Sequence, residues 1–576
     1  MTQMMGAGID PGGAEPVWLR KYPADVNWRK TISPAPLTSL MDHAVKTFAD
    51  RPAVDFLGKI LTFAEIGRMV GQAAKGLQQI GVKPGDRVGL FLPNTPYSIV
   101  YYYAALTIGA TIVNFNPLYA LREIEHQVND SGTRVMVTLD LAVVYDKVHE
   151  LLGKTCLERI IVCPMAGVLP FPKNLLFPLV KGKEIGKVEK SARIVQHKAL
   201  MQNDGRYAPV QIDPETAVAV LQYTGGTTGL PKGAMLTHAN LHANARQLEA
   251  WFPDARPGQE RTMVVLPLFH VFAMTVCMNY SVLAGACMIM LPRFELDQVL
   301  ETLAKKKPSL FPGVPTMYTA IAHHPKIREF DLSSINYCLS GGAPLPLEVK
   351  QTFEKLTGCT LVEGYGLTET SPVTHCNPFN GISKEGSIGL PMPGTTIEIV
   401  DLEDGETVLP QGSRGEICIR GPQVMAGYWN KPEETAKTMA GGRLHTGDVG
   451  YLDEDGYAFI VDRIKDLIIA GGYNVYPRMV EEAVYLHDLV EECTVIGIPD
   501  EYRGQTVKAF VKLKAGAHLT AAELTAFLKE RLSPIEMPKQ IEFRDALPKT
   551  LIGKLSKKEL VQEEKEKYEA RRKAAG

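Results

Sequence analysis

The chain has 576 residues, 45% of them hydrophobic, and a formal net charge of −2. That balance suits several soluble domains with ample core and excludes a broadly basic nucleic-acid-binding surface. Nine cysteines are scattered with no Cys-x-x-Cys pair, which argues against a disulfide framework or structural zinc site and for a reducing, cytoplasmic setting.

Residues 1–15 are rich in Gly and Pro and carry neither a basic n-region nor an apolar h-region, so no signal peptide is expected. Arg87–Leu92 reads as a strand, Pro96–Gly109 as a helix and Thr111–Phe115 as a strand. Val135–Thr138 is a further strand and Leu141–Leu152 a helix. The apolar runs Ser98–Phe115 and Met274–Leu291 are interrupted at Gly109 and Gly285. Each reads as helix, glycine and buried strand instead of a membrane span. This alternation over the first 380 residues predicts an α/β fold with largely parallel sheets. Residues 164–212 look like a surface insertion. Val168-Leu169-Pro170-Phe171-Pro172 and Leu175–Val180 are apolar, and Lys173, Lys181, Lys183, Lys187 and Lys190 flank them. Apolar plus basic is the pattern of a segment that touches an anionic bilayer, and packing on the protein's own body is the equal alternative. Ala217–Tyr223 is an apolar strand that runs straight into a Gly/Thr-rich loop, and ligands collect at the carboxyl ends of such strands. From about Gly386 the texture becomes β-rich, with strands at Thr396–Val400, Gly415–Arg420 and Tyr457–Val461. Beyond about residue 465 it returns to mixed α/β, with helices near Val480–Leu486 and Ala521–Glu530. The last twenty residues are highly charged and read as a solvated helix or a loose tail.

The loop is Tyr223-Thr224-Gly225-Gly226-Thr227-Thr228-Gly229-Leu230-Pro231-Lys232-Gly233. Glycines let backbone N–H groups approach an anion, threonines add hydroxyls, and Lys232 adds positive charge. It is no Walker A loop, because Pro231 precedes the lysine and Gly233 follows it. A plain turn is the competing reading of this run taken alone. Five further motifs follow: Gly341-Gly342-Ala343-Pro344; Glu363-Gly364-Tyr365-Gly366-Leu367-Thr368-Glu369; Thr446-Gly447-Asp448; Arg463-Ile464-Lys465-Asp466 with Gly471-Gly472-Tyr473; and Pro548-Lys549-Thr550 with Gly553-Lys554. Together, in this order, the six resemble those of the adenylate-forming acyl-CoA synthetases. The Trp18–Val26 segment, the 164–212 insertion and the run ending at His238 are most similar to bacterial long-chain fatty-acid–CoA ligases.

The resemblance implies a large N-terminal adenylation domain, residues 1–464, built of two α/β subdomains and a small β-barrel. A small mobile α+β C-terminal domain, residues 465–576, would follow. The implied reaction joins a medium- or long-chain fatty acid to ATP as acyl-AMP with release of pyrophosphate. CoA then displaces AMP. An aromatic- or dicarboxylic-acid ligase, or an enzyme that delivers its acyl group to a carrier protein, shares the same motifs. Implied partners are fatty acid, ATP, CoA and Mg²⁺, with peripheral contact to the inner membrane through 164–190 and a homodimer as one allowed assembly. No nucleic acid is expected.

Residue by residue, the resemblance assigns ATP contacts to Thr224, Gly225, Gly226, Thr227, Thr228, Gly229 and Lys232. It adds Gly341, Gly342, Ala343, Glu363, Gly364, Tyr365, Gly366 and Thr368. Asp448 and Arg463 would hold the ribose; a carboxylate offers two acceptors to a diol. Glu369 and Thr228 would ligate Mg²⁺, which favours hard oxygen donors. Lys554, with Lys232, would offset charge as carboxylate and α-phosphate are pushed together. Lys465 falls at the hinge, and Gly471, Gly472 and Tyr473 would line a CoA channel. For the acyl chain the candidates are His270, Val271, Met274, Thr275 and Met278 on one helix face, with Gly313, Val314, Gly341 and Gly366 as small residues beside it. Ordinary core packing explains the Met set equally well, and Met274 stands where some long-chain relatives place a gating Trp. His238 and His242 have metal-ligand spacing without the Glu of His-Glu-x-x-His, so they read as surface histidines on a helix. Lys557 and Lys558 read as plain surface charges.

Overall fold

A computed structural model describes residues 15–224, 231–252, 254–470, 473–500, 504–549 and 555–575, without the side chains of 473–474 and 572–575. Gly225, Gly226, Thr227, Thr228, Gly229, Gly471, Gly472 and Lys554 lie outside the described residues.

The chain packs as two units. One holds residues 1–396 with 419–444, the other 397–418 with 445–576. The first unit contains a seven-stranded sheet in the order Ile194–Gln196, Arg159–Cys163, Val135–Leu139, Arg87–Phe91, Thr111–Asn114, Val218–Thr224, Lys232–Thr237. Every neighbouring pair is parallel except the last, Val218–Thr224 with Lys232–Thr237. Val135–Leu139 and Thr111–Asn114 are buried along their whole length. That is the pattern of parallel strands covered on both faces, and it explains why they read as continuous apolar runs.

Helix Pro96–Thr107 starts with proline at its first position and buries its first eleven residues. Its tyrosines are core residues whose hydroxyls find partners. Tyr101 pairs with His197 Nδ1 at 2.8 Å, and Tyr103 donates to Asn279 Oδ1 at 3.0 Å. A strand follows Gly109, as expected, and among the described residues no helix is long and apolar enough to cross a membrane.

Two four-stranded sheets complete the first unit. One runs Arg261–Val264, Cys287–Met290, Pro52–Phe56, Lys59–Thr62; the other runs Tyr337–Ser340, Thr360–Gly366, Val373–Cys376, Leu390–Pro391. Between them Leu310 bridges both Thr262 and Tyr337. A core of Met263, Ile289, Leu300, Phe311, Tyr318, Phe353 and Leu361 lies beneath. At a transfer free energy of about 25 cal/mol per Å² of apolar surface, each such side chain contributes roughly 1.5–3 kcal/mol before its ordering cost.

The second unit carries a four-stranded sheet, Thr396–Val400, Gly415–Arg420, Leu444–Leu452, Ala458–Arg463. Its other sheet has five strands, with Val490–Asp500 and Gly504–Leu513 as its longest antiparallel pair. Helices Pro477–Tyr485 and Ala521–Leu528 supply Val480, Val484, Leu524 and Leu528 to the core on that sheet. Thr520 and Glu523 close a capping box on the second helix.

Several expectations are corrected. The strand expected at Tyr457–Val461 is Ala458–Arg463, and its partner Leu444–Leu452 was not anticipated because Thr446-Gly447-Asp448 interrupts its apolar alternation. The charged C-terminus resolves as helix Lys558–Ala575. His238 and His242 are not surface residues; they are 1% and 6% exposed. The helix that carries them begins at a Thr237 capping box, and His238 Nδ1 accepts the Leu37 N–H at 3.2 Å. Lys557 is no plain surface charge: it is half-buried and ion-paired to Glu481 at 3.1 Å.

Candidate active site

Thr224 ends its strand and lies opposite Lys232 in the antiparallel pair, so the strands on either side of the Gly/Thr run are bonded neighbours. The expected strand is present and parallel to Thr111–Asn114, and from Lys232 the chain is a strand where a phosphate loop of the Walker type would open a helix. Tyr223 anchors the strand end by donating its hydroxyl to Asp130 Oδ2 at 2.5 Å. Burial and the Asp130 carboxylate raise that phenol, so it stays protonated and remains a donor.

Residues 426–429 add a second main-chain layer against Lys232–Thr237. Trp429 N donates to Gly233 O at 2.8 Å, Met235 N to Gly427 O at 2.8 Å and Ala426 N to Met235 O at 3.0 Å. This brings Tyr428 under the lysine: Lys232 Nζ stands 5.3 Å from the centre of the Tyr428 ring. The Lys232 ammonium is ion-paired to Glu434, whose carboxylate it holds below the usual range. Both side chains are substantially exposed, so this pair is screened and weak. Lys232 can exchange it for a polyanion at small cost.

Tyr428 links the lysine to the second nucleotide motif. Its hydroxyl donates to Glu369 Oε1 at 2.6 Å, and Met425 N donates to Glu369 O at 2.8 Å. Burial, then the Glu369 charge, raises the Tyr428 phenol, which therefore stays a donor. Glu369 and Thr368 occupy a single turn of 3-10 helix immediately after strand Thr360–Gly366. Glu363, earlier in that strand, accepts the Leu345 N–H at 3.0 Å, just past Gly341-Gly342-Ala343. That segment leaves strand Tyr337–Ser340, whose Ser340 lies opposite Glu363. Gly364 and Tyr365 pair with Cys376 and His375 on the other side. Glu369 thus offers the hard carboxylate oxygen that Mg²⁺ takes, and in kind the residues present fit that ion.

The acyl candidates are only partly placed as expected. Val271, Met274, Thr275 and Met278 are all buried, but Ala273–Asn279 is a π-helix, so a face counted at 3.6 residues per turn does not carry over. Thr275 donates its hydroxyl to Ser371 O at 2.6 Å, and Asn114 Nδ2 donates to Met274 Sδ at 3.3 Å. His270 opens this segment, its carbonyl accepting the Met274 N–H at 2.9 Å. Val314 is buried at the start of helix Pro315–Ala322. Gly366 is required by its own backbone: a Cβ there would meet the Pro372 carbonyl oxygen at 1.9 Å. At Gly313 a Cβ would meet the Tyr318 ring at 2.9 Å. The space beside both glycines is therefore filled by the protein, which gives their small size a packing reason.

In the second unit Asp448 is buried and faces Arg463 across the strand pair, with Arg463 Nε 3.0 Å from Asp448 Oδ1. The loop before it is held from beneath. Glu416 Oε1 accepts the Gly447 N–H at 2.8 Å, and Glu416 Oε2 lies 2.8 Å from His445 Nδ1. Thr446 donates to Ile417 O at 2.7 Å and accepts the Asp448 N–H at 3.1 Å. Lys465 is exposed in a short turn after Arg463, and Tyr473 pairs with Ala470 along the backbone.

Sequence reasoning missed Tyr428, Glu434, Glu416 and His445. Glu416 had a legible signal, since it sits inside the apolar strand Gly415–Arg420 where an acid needs a partner. Tyr428 and Glu434 had none, because only the pairing of residues 426–429 with Lys232–Thr237 brings them to the loop.

An α/β body whose strands flanking the Gly/Thr run pair with each other, a lysine and a carboxylate bridged by one tyrosine, and a separate unit carrying a buried Asp paired to an exposed Arg fit the adenylate-forming class of enzyme. The profile of the AMP-binding enzyme family matches residues 41–429, and that of the AMP-binding enzyme C-terminal domain matches 479–554. The chain belongs to the AMP-binding enzyme family. It is 47% identical to a long-chain-fatty-acid–CoA ligase of Bacillus subtilis over 96% of this chain and 98% of that one. It is 38% identical to a long-chain-fatty-acid–CoA ligase of Escherichia coli over 96% and 99%. ATP-bound MatB from Rhodopseudomonas palustris superposes with a TM-score of 0.81 at 28% identity, over 92% of this chain and 99% of that one.

Proposed function

We propose that the chain ligates a long-chain fatty acid to coenzyme A through an acyl-AMP intermediate. The observation that carries this is the near full-length similarity to ligases of that name. The Lys232–Tyr428–Glu369 arrangement is the supporting geometry.

In this reading Lys232 leaves Glu434 for the β- and γ-phosphates of ATP, with the hydroxyls of Thr224, Thr227 and Thr228. Glu369, oriented by Tyr428, would hold Mg²⁺, which supplies charge neutralisation for the departing pyrophosphate. Gly341, Gly342, Ala343 and Tyr365 would lie against the base. Asp448 accepts the ribose hydroxyls, and Arg463 holds that carboxylate in position. Lys554 stabilises the developing charge as the fatty-acid carboxylate attacks the α-phosphorus and pyrophosphate leaves. The CoA thiol then attacks the acyl carbon, its proton is lost, and AMP departs. We place the functional division at 464/465, with Lys465 as hinge and Gly471, Gly472 and Tyr473 on the pantetheine path. The acyl chain would run beside Val271, Met274 and Met278. The setting is cytoplasmic, with peripheral contact to the inner membrane through 164–190.

The test is CoA-dependent AMP formation with ATP, Mg²⁺ and a panel of acetate, octanoate, palmitate, oleate, pimelate, benzoate and cinnamate. A maximum at octanoate or longer supports the reading. A maximum at pimelate or an aromatic acid keeps the enzyme class and overturns the acyl assignment.

A further inference from the structure

Helix Lys173–Val180 in the first unit buries none of its eight residues. Phe171, Leu175, Leu176, Leu179 and Val180 are 79, 62, 49, 81 and 74% exposed. A helix on a water-facing surface turns its leucines inward; this one displays them in one stretch of ten residues.

The helix is ordered. Asn174 N bonds to Pro170 O, Leu176 N to Pro172 O and Lys181 N to Phe177 O, at 2.8–3.1 Å. Both its stems are tied to the body. Before it, Met165, Val168 and Leu169 are buried, Tyr97 donates its hydroxyl to Pro164 O at 3.0 Å, and Lys59 Nζ donates to Gly167 O at 2.6 Å. After it, Ile185 bridges Leu141 and Gly186 N donates to Asp140 O at 2.7 Å. The apolar residues are thus held outward by a fixed scaffold.

The surrounding charge selects the occupant. Residues 171–190 contain five lysines (173, 181, 183, 187, 190) and two acids, Glu184 and Glu189, a net charge of +3. All five lysines are exposed. A second copy docked symmetrically would bring +3 against +3. A surface that is apolar within and anionic at its face matches both features, and stable interfacial anchoring takes such a pair of signals.

We propose that residues 171–190 are an interfacial anchor that docks this chain on an anionic phospholipid bilayer, with Phe171, Leu175, Leu176, Leu179 and Val180 entering the acyl boundary and the lysines meeting the headgroups. The proposal deepens the ligase reading and rests on it only for the use of the contact, the supply of acyl substrate from the membrane.

The full-length protein is co-sedimented with vesicles of phosphatidylcholine and of phosphatidylcholine mixed with phosphatidylglycerol. The unaltered chain binds the anionic vesicles, and salt weakens binding. Leu175→Asp with Leu179→Asp lowers partitioning at least tenfold. Lys181→Gln, Lys183→Gln, Lys187→Gln and Lys190→Gln together remove the preference for anionic vesicles. Vesicle-free AMP formation from octanoate or albumin-bound palmitate is unchanged in both variants, which also reports their folding. Equal binding by the leucine variant overturns the proposal, as does failure of the unaltered chain to bind anionic vesicles. A dimer in light scattering that the leucine changes dissolve also overturns it, in favour of a second copy. If vesicle binding behaves as stated while no acid yields AMP, the anchor stands and the ligase reading fails.

Discussion

Tyr428 donates its hydroxyl to Glu369 Oε1 at 2.6 Å. The same ring lies beneath the Lys232 ammonium. One side chain therefore sets the positions of a cation and an anion that stand 137 residues apart in the sequence. A hydrogen bond to a carboxylate contributes about 1.5–3 kcal/mol when partly buried, enough to fix a rotamer.

Tyr428→Phe keeps the ring under Lys232 and removes the donor to Glu369. We expect AMP formation to fall roughly 10- to 150-fold at limiting Mg²⁺, in line with loss of one such bond, and to recover partly as Mg²⁺ is raised. Glu369→Gln should fall further and not recover. A Tyr428→Phe enzyme with an unaltered Mg²⁺ titration would separate the tyrosine from the carboxylate's role.

Glu416→Gln replaces a carboxylate that accepts from Gly447 N–H and faces His445. The loop that presents Asp448 then loses a charged acceptor, at a cost of about 1–3 kcal/mol of stability. The kinetic signature should be a KM for ATP raised about tenfold, with KM for the fatty acid and for CoA little changed. Equal rises in all three would mean that the change acts on the fold and not on the ribose site.

Lys554→Ala should abolish adenylate formation while largely sparing thioester formation from supplied acyl-AMP, because only the first half-reaction brings two anions together. Equal loss of both half-reactions contradicts the assignment.

The buried His238 is held down to about 4 by desolvation, and its Nδ1 accepts the Leu37 N–H. An unfolded histidine titrates near 6.5, so between about pH 6.5 and 4 the unfolded chain binds the extra proton. Stability is then lost as pH falls through that window, by up to ~3 kcal/mol for this residue. His238→Asn keeps an acceptor without the titration. It should be less stable than the unaltered chain at pH 7.5, yet lose less Tm on going to pH 5. A variant with the same loss of Tm would place the pH dependence elsewhere, His197, His242 and His375 being the other histidines that burial holds down.

The fold was legible where burial and periodicity agree. The run Ser98–Phe115 gave its helix, glycine and strand because a parallel sheet covered on both faces leaves no polar alternation to misread. The π-helix at Ala273–Asn279 was not legible: its apolar residues fit an α-helical spacing, and only tertiary bonds such as Thr275 to Ser371 O show how the turn is held. The motifs pointed to Thr224, Lys232, Glu369, Asp448 and Arg463 because those residue types suit phosphate, metal and diol binding. They did not name Tyr428, Glu434 or His445, whose roles arise from strand pairing between distant segments. The histidines at 238 and 242 were misread because helical spacing says nothing about which face is covered. Phe171, Leu175, Leu176, Leu179 and Val180 show another limit: apolar and basic residues together fitted a membrane-facing insertion and a packed one equally, and the structure exposes them.

The acyl-adenylate itself is the central claim. Full-length protein incubated with palmitate, Mg²⁺ and ATP labelled at the α-phosphate, without CoA, should accumulate labelled palmitoyl-AMP in an amount close to the enzyme present. Added CoA should convert it to palmitoyl-CoA and labelled AMP. Labelled ADP with an acyl phosphate in place of the adenylate, or palmitoyl-CoA formed with no adenylate that can be chased, would contradict the account.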